Sequence, residues 1–152
     1  MTREELKEKL TAVDPSLAFD EGGEWLVALV SAADWKKTAR YLRDDPAFQF
    51  NYLFCLTCVD WKAHLGMVYH LTSTVFRHTL VVKVNLDASA PSIDTVSDLW
   101  RTAEFHEREV YELFGVDFKG HPDLRLLILP DGWEGKNPLR KDFEDPVNMI
   151  RL

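Results

Sequence analysis

With 152 residues, 46% of them apolar, the chain is large enough for one domain with a substantial core. Its formal net charge of −7, with no run of Lys and Arg, argues against a nucleic-acid or anionic-lipid partner. Apolar runs such as residues 25–30 fall far short of the ~20 that cross a bilayer, and the charged start MTREELKEKL is no secretory signal; with two cysteines, this fits a reducing cytoplasm.

Thr2 with Glu5 forms a capping box, and Leu6, Leu10 and Val13 give a helical stripe that stops before Pro15. SLAFD and EWLVALV flank Glu21-Gly22-Gly23, which predicts a hairpin. Ser31 with Asp34 is a second capping box. Trp35, Ala39 and Leu42 then face inward, Lys36, Lys37, Arg40 and Arg43 face outward, and Pro46 ends the helix. Strand-like runs follow at 48–61 and 65–76. In a third, Leu80, Val82, Val84 and Leu86 alternate with Val81, Lys83, Asn85 and Asp87. Arg77-His78 reads as a tight turn, and residues 94–100 as a short helix. A longer helix runs from a Thr102 cap to Gly115, with Ala103, Glu107, Val110 and Phe114 on one stripe. Arg108 stands four residues from both Glu104 and Glu112, where i,i+4 pairs form.

The order is α-β-β-α-β-β-β-α and a tail. Hairpin links favour antiparallel pairing, so the expected fold class is α+β: a single domain whose mostly antiparallel sheet is covered by helices. Residues 1–115 form that domain, and 116–152 form an extended C-terminal, partner-binding tail. The tail carries Pro122, Pro130, Pro138 and Pro146, and LRLLIL (124–129) is its one strand-like segment. Phe118, Leu124, Trp133, Leu139 and Phe143 make it too apolar for a solvated tail, so it is expected to strap across a partner and partly back over the long helix.

Several residues invite a chemical reading. Cys55 and Cys58 form a lone CxxC in a strand-like run, where residues three apart point to opposite faces, so two small buried residues are favoured over a redox pair or half a metal site. His106-Glu107 starts the helical zinc pattern HExxH, but Val110 occupies the second His position. Glu107 on the apolar stripe is either an acid with a raised pKa or a carboxylate satisfied by Arg or backbone N–H groups. The second is favoured, with Arg125 and Arg140 as suppliers. His121-Pro122-Asp123 is read as a turn before a proton-transfer site. No dinucleotide, phosphate-loop or nucleophile-elbow motif is present, and no Cys cluster could hold an iron–sulfur centre.

The longest pattern is Glu107-Arg108-Glu109, two residues, Glu112, then Leu113-Phe114, with His121 and Arg125 ahead of Leu127-Ile128. PDGWEG, with Trp133, and PLRKDF, with Pro138 and Arg140, follow. This stretch resembles the C subunit (30-kDa-subunit family) of respiratory NADH:quinone oxidoreductase, complex I, and PSIDTVSDLW is similar more loosely. Glu112 stands where Asp is usual and Leu126 where a second Arg is common, and Lys136-Asn137 lengthens the spacing before Pro138 by one. These departures bear on local tail geometry.

The resemblance implies a subunit with no cofactor of its own, NADH, flavin, iron–sulfur clusters and quinone belonging to partner subunits. Glu107, Arg108, Glu109, Glu112, His121, Asp123, Arg125, Trp133, Pro138 and Arg140 are then signature and interface positions, none of them catalytic, cofactor-binding or metal-binding. The implied partners are the hydrogenase-like large (D-type) subunit that helps form the quinone site and the (B-type) subunit that holds the terminal iron–sulfur cluster. The implied role is to position the large subunit, peripherally, at the cytoplasmic face of the plasma membrane. Related membrane-bound hydrogenases and ferredoxin-linked complexes are further hosts that use similar subunits. The residues by themselves also admit a small stand-alone acid–base enzyme using Glu107 and His121, or a binding module for an unrelated protein.

Overall fold

The structure is a computed structural model that describes residues 1–150. Arg151 and Leu152, the end of the expected tail, lie outside the described residues. Helix α1 (Arg3–Val13) has the full Thr2/Glu5 capping box and buries Leu6 and Leu10. Strands β1 (Ala18–Asp20) and β2 (Leu26–Leu29) form the expected hairpin. Helix α2 (Ala32–Asp44) buries Trp35, Ala39 and Leu42. Its cap is half a box: Ser31 Oγ accepts the Asp34 N–H, but the Asp34 carboxylate takes the Ser31 hydroxyl rather than its backbone.

Strands β3 (Tyr52–Asp60), β4 (His64–Thr72) and β5 (Thr79–Asp87) complete a 5-stranded sheet in the order β1-β2-β5-β4-β3. Within this sheet only the β2–β5 pair is parallel. Leu65, Met67, Tyr69 and Leu71 of β4 and Leu80, Val82, Val84 and Leu86 of β5 are buried under the helices, as the alternation requires. On the other face Trp25 lies edge-on to Phe54 and His70, while Tyr52 and Trp61 stay exposed. Cys58 pairs with Met67 on the core side and is buried; Cys55 pairs with His70 and is only half-buried, which corrects the expectation of two buried thiols.

The β4–β5 connection is a six-residue loop, not a two-residue turn: Ser73 and His78 close it, and Arg77 takes φ 53° inside. The expected short helix at 94–100 is also absent. Strand β6 (Ser92–Asp94) pairs in parallel with β7 (Asp117–Lys119), a strand inside the segment read as tail, and turns lead from β6 to α3 (Ala103–Phe114). The start of that segment belongs to the β6–β7 ladder: Asp94 ends β6 and the Thr95 N–H bonds to the Lys119 carbonyl, which leaves only turns at 96–100. Thr102 does not cap α3; its residue is already helical in φ and ψ, and its hydroxyl donates to the Leu53 carbonyl.

Candidate functional site

Helix α3 is where the signature residues gather. It ends at Gly115, whose φ of 78° suits a residue without a Cβ, and a Cβ there would meet Asn137 Nδ2 at 2.6 Å. The tail therefore lies directly on the helix end.

Glu107 points from α3 into the core with no solvent exposure. Its Oε2 accepts from Thr95 Oγ1 at 2.5 Å and its Oε1 from the Val96 N–H at 2.8 Å. Arg125 and Arg140 do not supply it, contrary to expectation. Arg125 pairs with Asp123 at the surface, and Arg140 donates to the Ala88 and Phe114 carbonyls. Backbone and hydroxyl donors are shorter than a guanidinium and fit the space under the helix. Burial pushes the Glu107 carboxyl up to about 7, against the opposing bonds from Thr95 and Val96.

His121 is brought beside it, Nε2 lying 3.7 Å from Glu107 Oε2 with both side chains fully buried. The ring is fixed at both nitrogens: Nε2 meets the Glu104 carbonyl at 2.9 Å, and Nδ1 accepts the Asp123 N–H at 3.0 Å. The acid and the imidazole of the acid–base reading are thus adjacent, yet sealed from any substrate. The Asp123 carboxyl is held below its usual range by the Arg125 hydrogen bond.

Arg108 and Glu112 do not pair with each other or with Glu104. Arg108 donates to the Arg125 and Leu126 carbonyls at 3.2 and 2.6 Å, with its guanidinium 5.8 Å from the Phe105 ring centre. Glu112 accepts the N–H groups of Leu127, Ile128 and Leu129. LRLLIL is consequently not a strand; its backbone is bonded to two side chains of one helix. Glu109 is half-buried near Cys55, where its charge adds to burial in raising the thiol pKa.

Further along, Trp133 packs on Phe143 at 6.2 Å with Lys136 Nζ over its ring. Pro138 is half-buried beside Asn137, and the next residue, Leu139, donates its N–H to the Leu113 carbonyl. Lys141 N–H reaches Asp60 Oδ2 at 2.8 Å, which lowers the Asp60 pKa and ties the tail to the end of β3. Arg140 ties it to the end of β5. Thr95, Val96, Asp60 and Asn137 escaped sequence reasoning. The paired hydroxyls of Thr95 and Ser97 hint only at a local turn, and a backbone N–H carries no residue signal at all.

The arrangement defines a class of chain: an α+β domain with its last helix clasped by its own tail rather than opened into a cleft. The model of the family described as "Respiratory-chain NADH dehydrogenase, 30 Kd subunit" matches residues 28–147. The chain belongs to that family. It is 38% identical over 138 residues to the NADH-quinone oxidoreductase C subunit of Moorella thermoacetica, covering 90% of this chain and 91% of that protein. It is 41% identical over 112 residues to the C subunit of Chloroherpeton thalassium, covering 72% of this chain but 46% of that longer relative. The NADH-quinone oxidoreductase C/D subunit of Phocaeicola vulgatus matches at 45% identity, over 67% of this chain and 20% of that protein. Among solved structures, a trypsin-resistant fragment (1-134) of Nqo5 gives a TM-score of 0.68 at 29% identity, covering 81% of this chain and all of that one. A chain from the membrane-bound sulfane sulfur reductase, an archaeal respiratory membrane complex, gives 0.81 at 28% identity, covering 93% and 85%. Among the described residues no helix is long and apolar enough to cross a membrane.

Proposed function

We propose that this chain is a cofactor-free structural subunit of the peripheral arm of an NADH:quinone oxidoreductase, and that it positions the large quinone-site subunit. The observation that carries this reading is the family match over residues 28–147, which takes in β3, β4, β5, α3 and most of the clasped tail. Electron transfer and quinone chemistry both depend on placement of the reacting parts, so a subunit without redox groups still matters to turnover.

The partners in this reading are the D-type large subunit and the B-type iron–sulfur subunit, which with the rest of the complex carry NADH, flavin, iron–sulfur clusters and quinone. The C/D relative supports the first partner, since a covalent joining keeps two chains at high mutual concentration. Residues 116–152 act as the partner-binding part: Ile128, Leu139, Val147 and Ile150 are exposed apolar side chains on it. Attachment is peripheral, at the cytoplasmic face of the plasma membrane. The likeness to the sulfane sulfur reductase chain favours a second reading, the equivalent subunit of a related hydrogenase-type or ferredoxin-linked complex.

Affinity purification of the tagged chain from membranes, with mass spectrometry of what accompanies it, tests both. D-type and B-type subunits together with NADH-binding subunits are the expected result. The same large subunit without NADH-binding subunits selects the second reading, and a chain recovered alone overturns both.

A further inference from the structure

We propose that Glu107 is held in the fold as a neutral carboxylic acid, and that loss of its proton loosens the tail from α3, making tail attachment pH-dependent. This goes beyond the assembly reading and concerns the chain by itself.

His121 sets the proton count. Its Nδ1 accepts the Asp123 N–H, so the single ring proton sits on Nε2, facing the Glu104 carbonyl. A ring bonded in this way brings no positive charge to Glu107. From α2, Lys36 comes close but gives its ammonium to the Thr95 carbonyl and the Asp98 carboxylate. Asp98 itself is a second negative charge in the same loop. From β4, Tyr69 is a fully buried phenol with an unpaired Oη. Burial pushes its pKa well up. From β3, burial drives the Cys58 thiol up to about 12, and Asp60 is taken by the N–H groups of Lys62 and Lys141. An ionised Glu107 is therefore a buried anion with no cation in contact, which is costly. Burial raising this carboxyl to about 7 agrees with the geometry.

A row of hydroxyls adjoins the carboxyl. Glu107 Oε2, Thr95 Oγ1 and Ser97 Oγ form a row with successive separations of 2.5 and 2.8 Å. Hydroxyls both donate and accept, so the row runs in either direction. As an acid, Glu107 donates to Thr95 and Thr95 to Ser97. As a carboxylate, it accepts from Thr95, which accepts from Ser97. Neither state loses a bond on this side. The change falls on the other side, where a new anion 3.7 Å from His121 Nε2 competes with the Glu104 carbonyl for the ring proton. The ring then turns out of line with the Asp123 N–H. Asp123 opens the segment whose carbonyls hold Arg108, so the clasp weakens at its first turn.

The test uses the full chain. In pH-difference infrared spectra the wild type is expected to show a carboxylic acid band that titrates near neutrality and is missing from Glu107→Gln. Across the same midpoint, hydrogen-exchange protection of the Asp123 amide, corrected for intrinsic rates, is expected to fall about tenfold. Thr95→Val, which removes a donor to the carboxylate, is expected to move the midpoint up by about one unit, and it decides the matter where Glu107→Gln fails to fold. Absence of a titrating band, a midpoint indifferent to Thr95→Val, or Asp123 protection that ignores the band overturns the proposal.

Discussion

Glu112 Oε1 accepts the backbone N–H of Ile128 at 2.9 Å, while Oε2 takes those of Leu127 and Leu129 at 2.8 and 3.1 Å. One carboxylate, 1% exposed, thus does for this segment what a neighbouring strand does in a sheet. Charge-assisted bonds of this kind are about twice as strong as neutral ones. Glu112→Ala is expected to destabilise the chain by about 2–3 kcal/mol in urea unfolding, and to speed tryptic cleavage after Arg125. Glu112→Asp, with a shorter arm but the same charge, is expected to lose less. Equal stability of all the variants would sink the idea that Glu112 holds the tail.

Glu107 makes stability depend on pH. It sits at about 7 in the fold against an ordinary 4.5, so the folded chain binds this proton more tightly than the unfolded one. Stability from it is complete below about pH 4.5 and is lost as pH rises through about 7, on the order of 3 kcal/mol in total. Burial holds His70 and His78 below their ordinary value, and they act in the opposite direction. The quantity to measure is therefore the unfolding free energy of wild type minus that of Glu107→Gln across this window. It should decline with rising pH; a flat difference contradicts the assignment.

The helices and the central strands were legible because burial follows period. Trp35, Ala39 and Leu42 recur at helical spacing, and Leu80 to Leu86 alternate as a half-buried strand must. The site was legible only as a set of residues, not as a set of bonds. The wheel of α3 offers Arg108 its own helix neighbours, but it cannot see the free carbonyls of Arg125 and Leu126, which arrive from the tail. In the same way it puts Glu107 on the core stripe without naming Thr95 or Val96. Strands β6 and β7 are three residues each and pair only with one another, too short for a periodic signal.

The cysteines give the third prediction. Cys58 and Cys55 face different sides of β3, and burial raises both thiol pKa values, which keeps thiolate scarce. Replacing both by Ala is expected to leave electron transfer in the assembled complex within about twofold, with any loss of stability traceable to the small cavity at Cys58. A normally assembled double variant that no longer turns over would refute this.

The last prediction separates folding from assembly in the tail. Its anchors are His121, the backbone of residues 125–129, Leu139, Arg140 and Lys141. Ending the chain after Lys119 removes all of them, yet leaves β7 on β6 and the sheet core intact. Arg108 and Glu112 are then four residues apart on a newly exposed helix face, where they pair with each other and limit the cost. Glu107 gains water, which lowers its pKa towards the ordinary value. The shortened domain is expected to fold with a loss of about 2–4 kcal/mol and to fail to co-purify with the large subunit. Ending it after Asp142 keeps every one of those anchors. That chain loses the packing of Phe143 on Trp133 but none of the anchors, so it is expected to come within about 1 kcal/mol of the full one in stability, and a larger assembly defect belongs to contacts made by residues 143 onward. Thermal unfolding and membrane pull-down of the two shortened chains, side by side with the full chain, measure this. Wild-type recovery of partners by the chain ending at Lys119 would remove the tail from the interface.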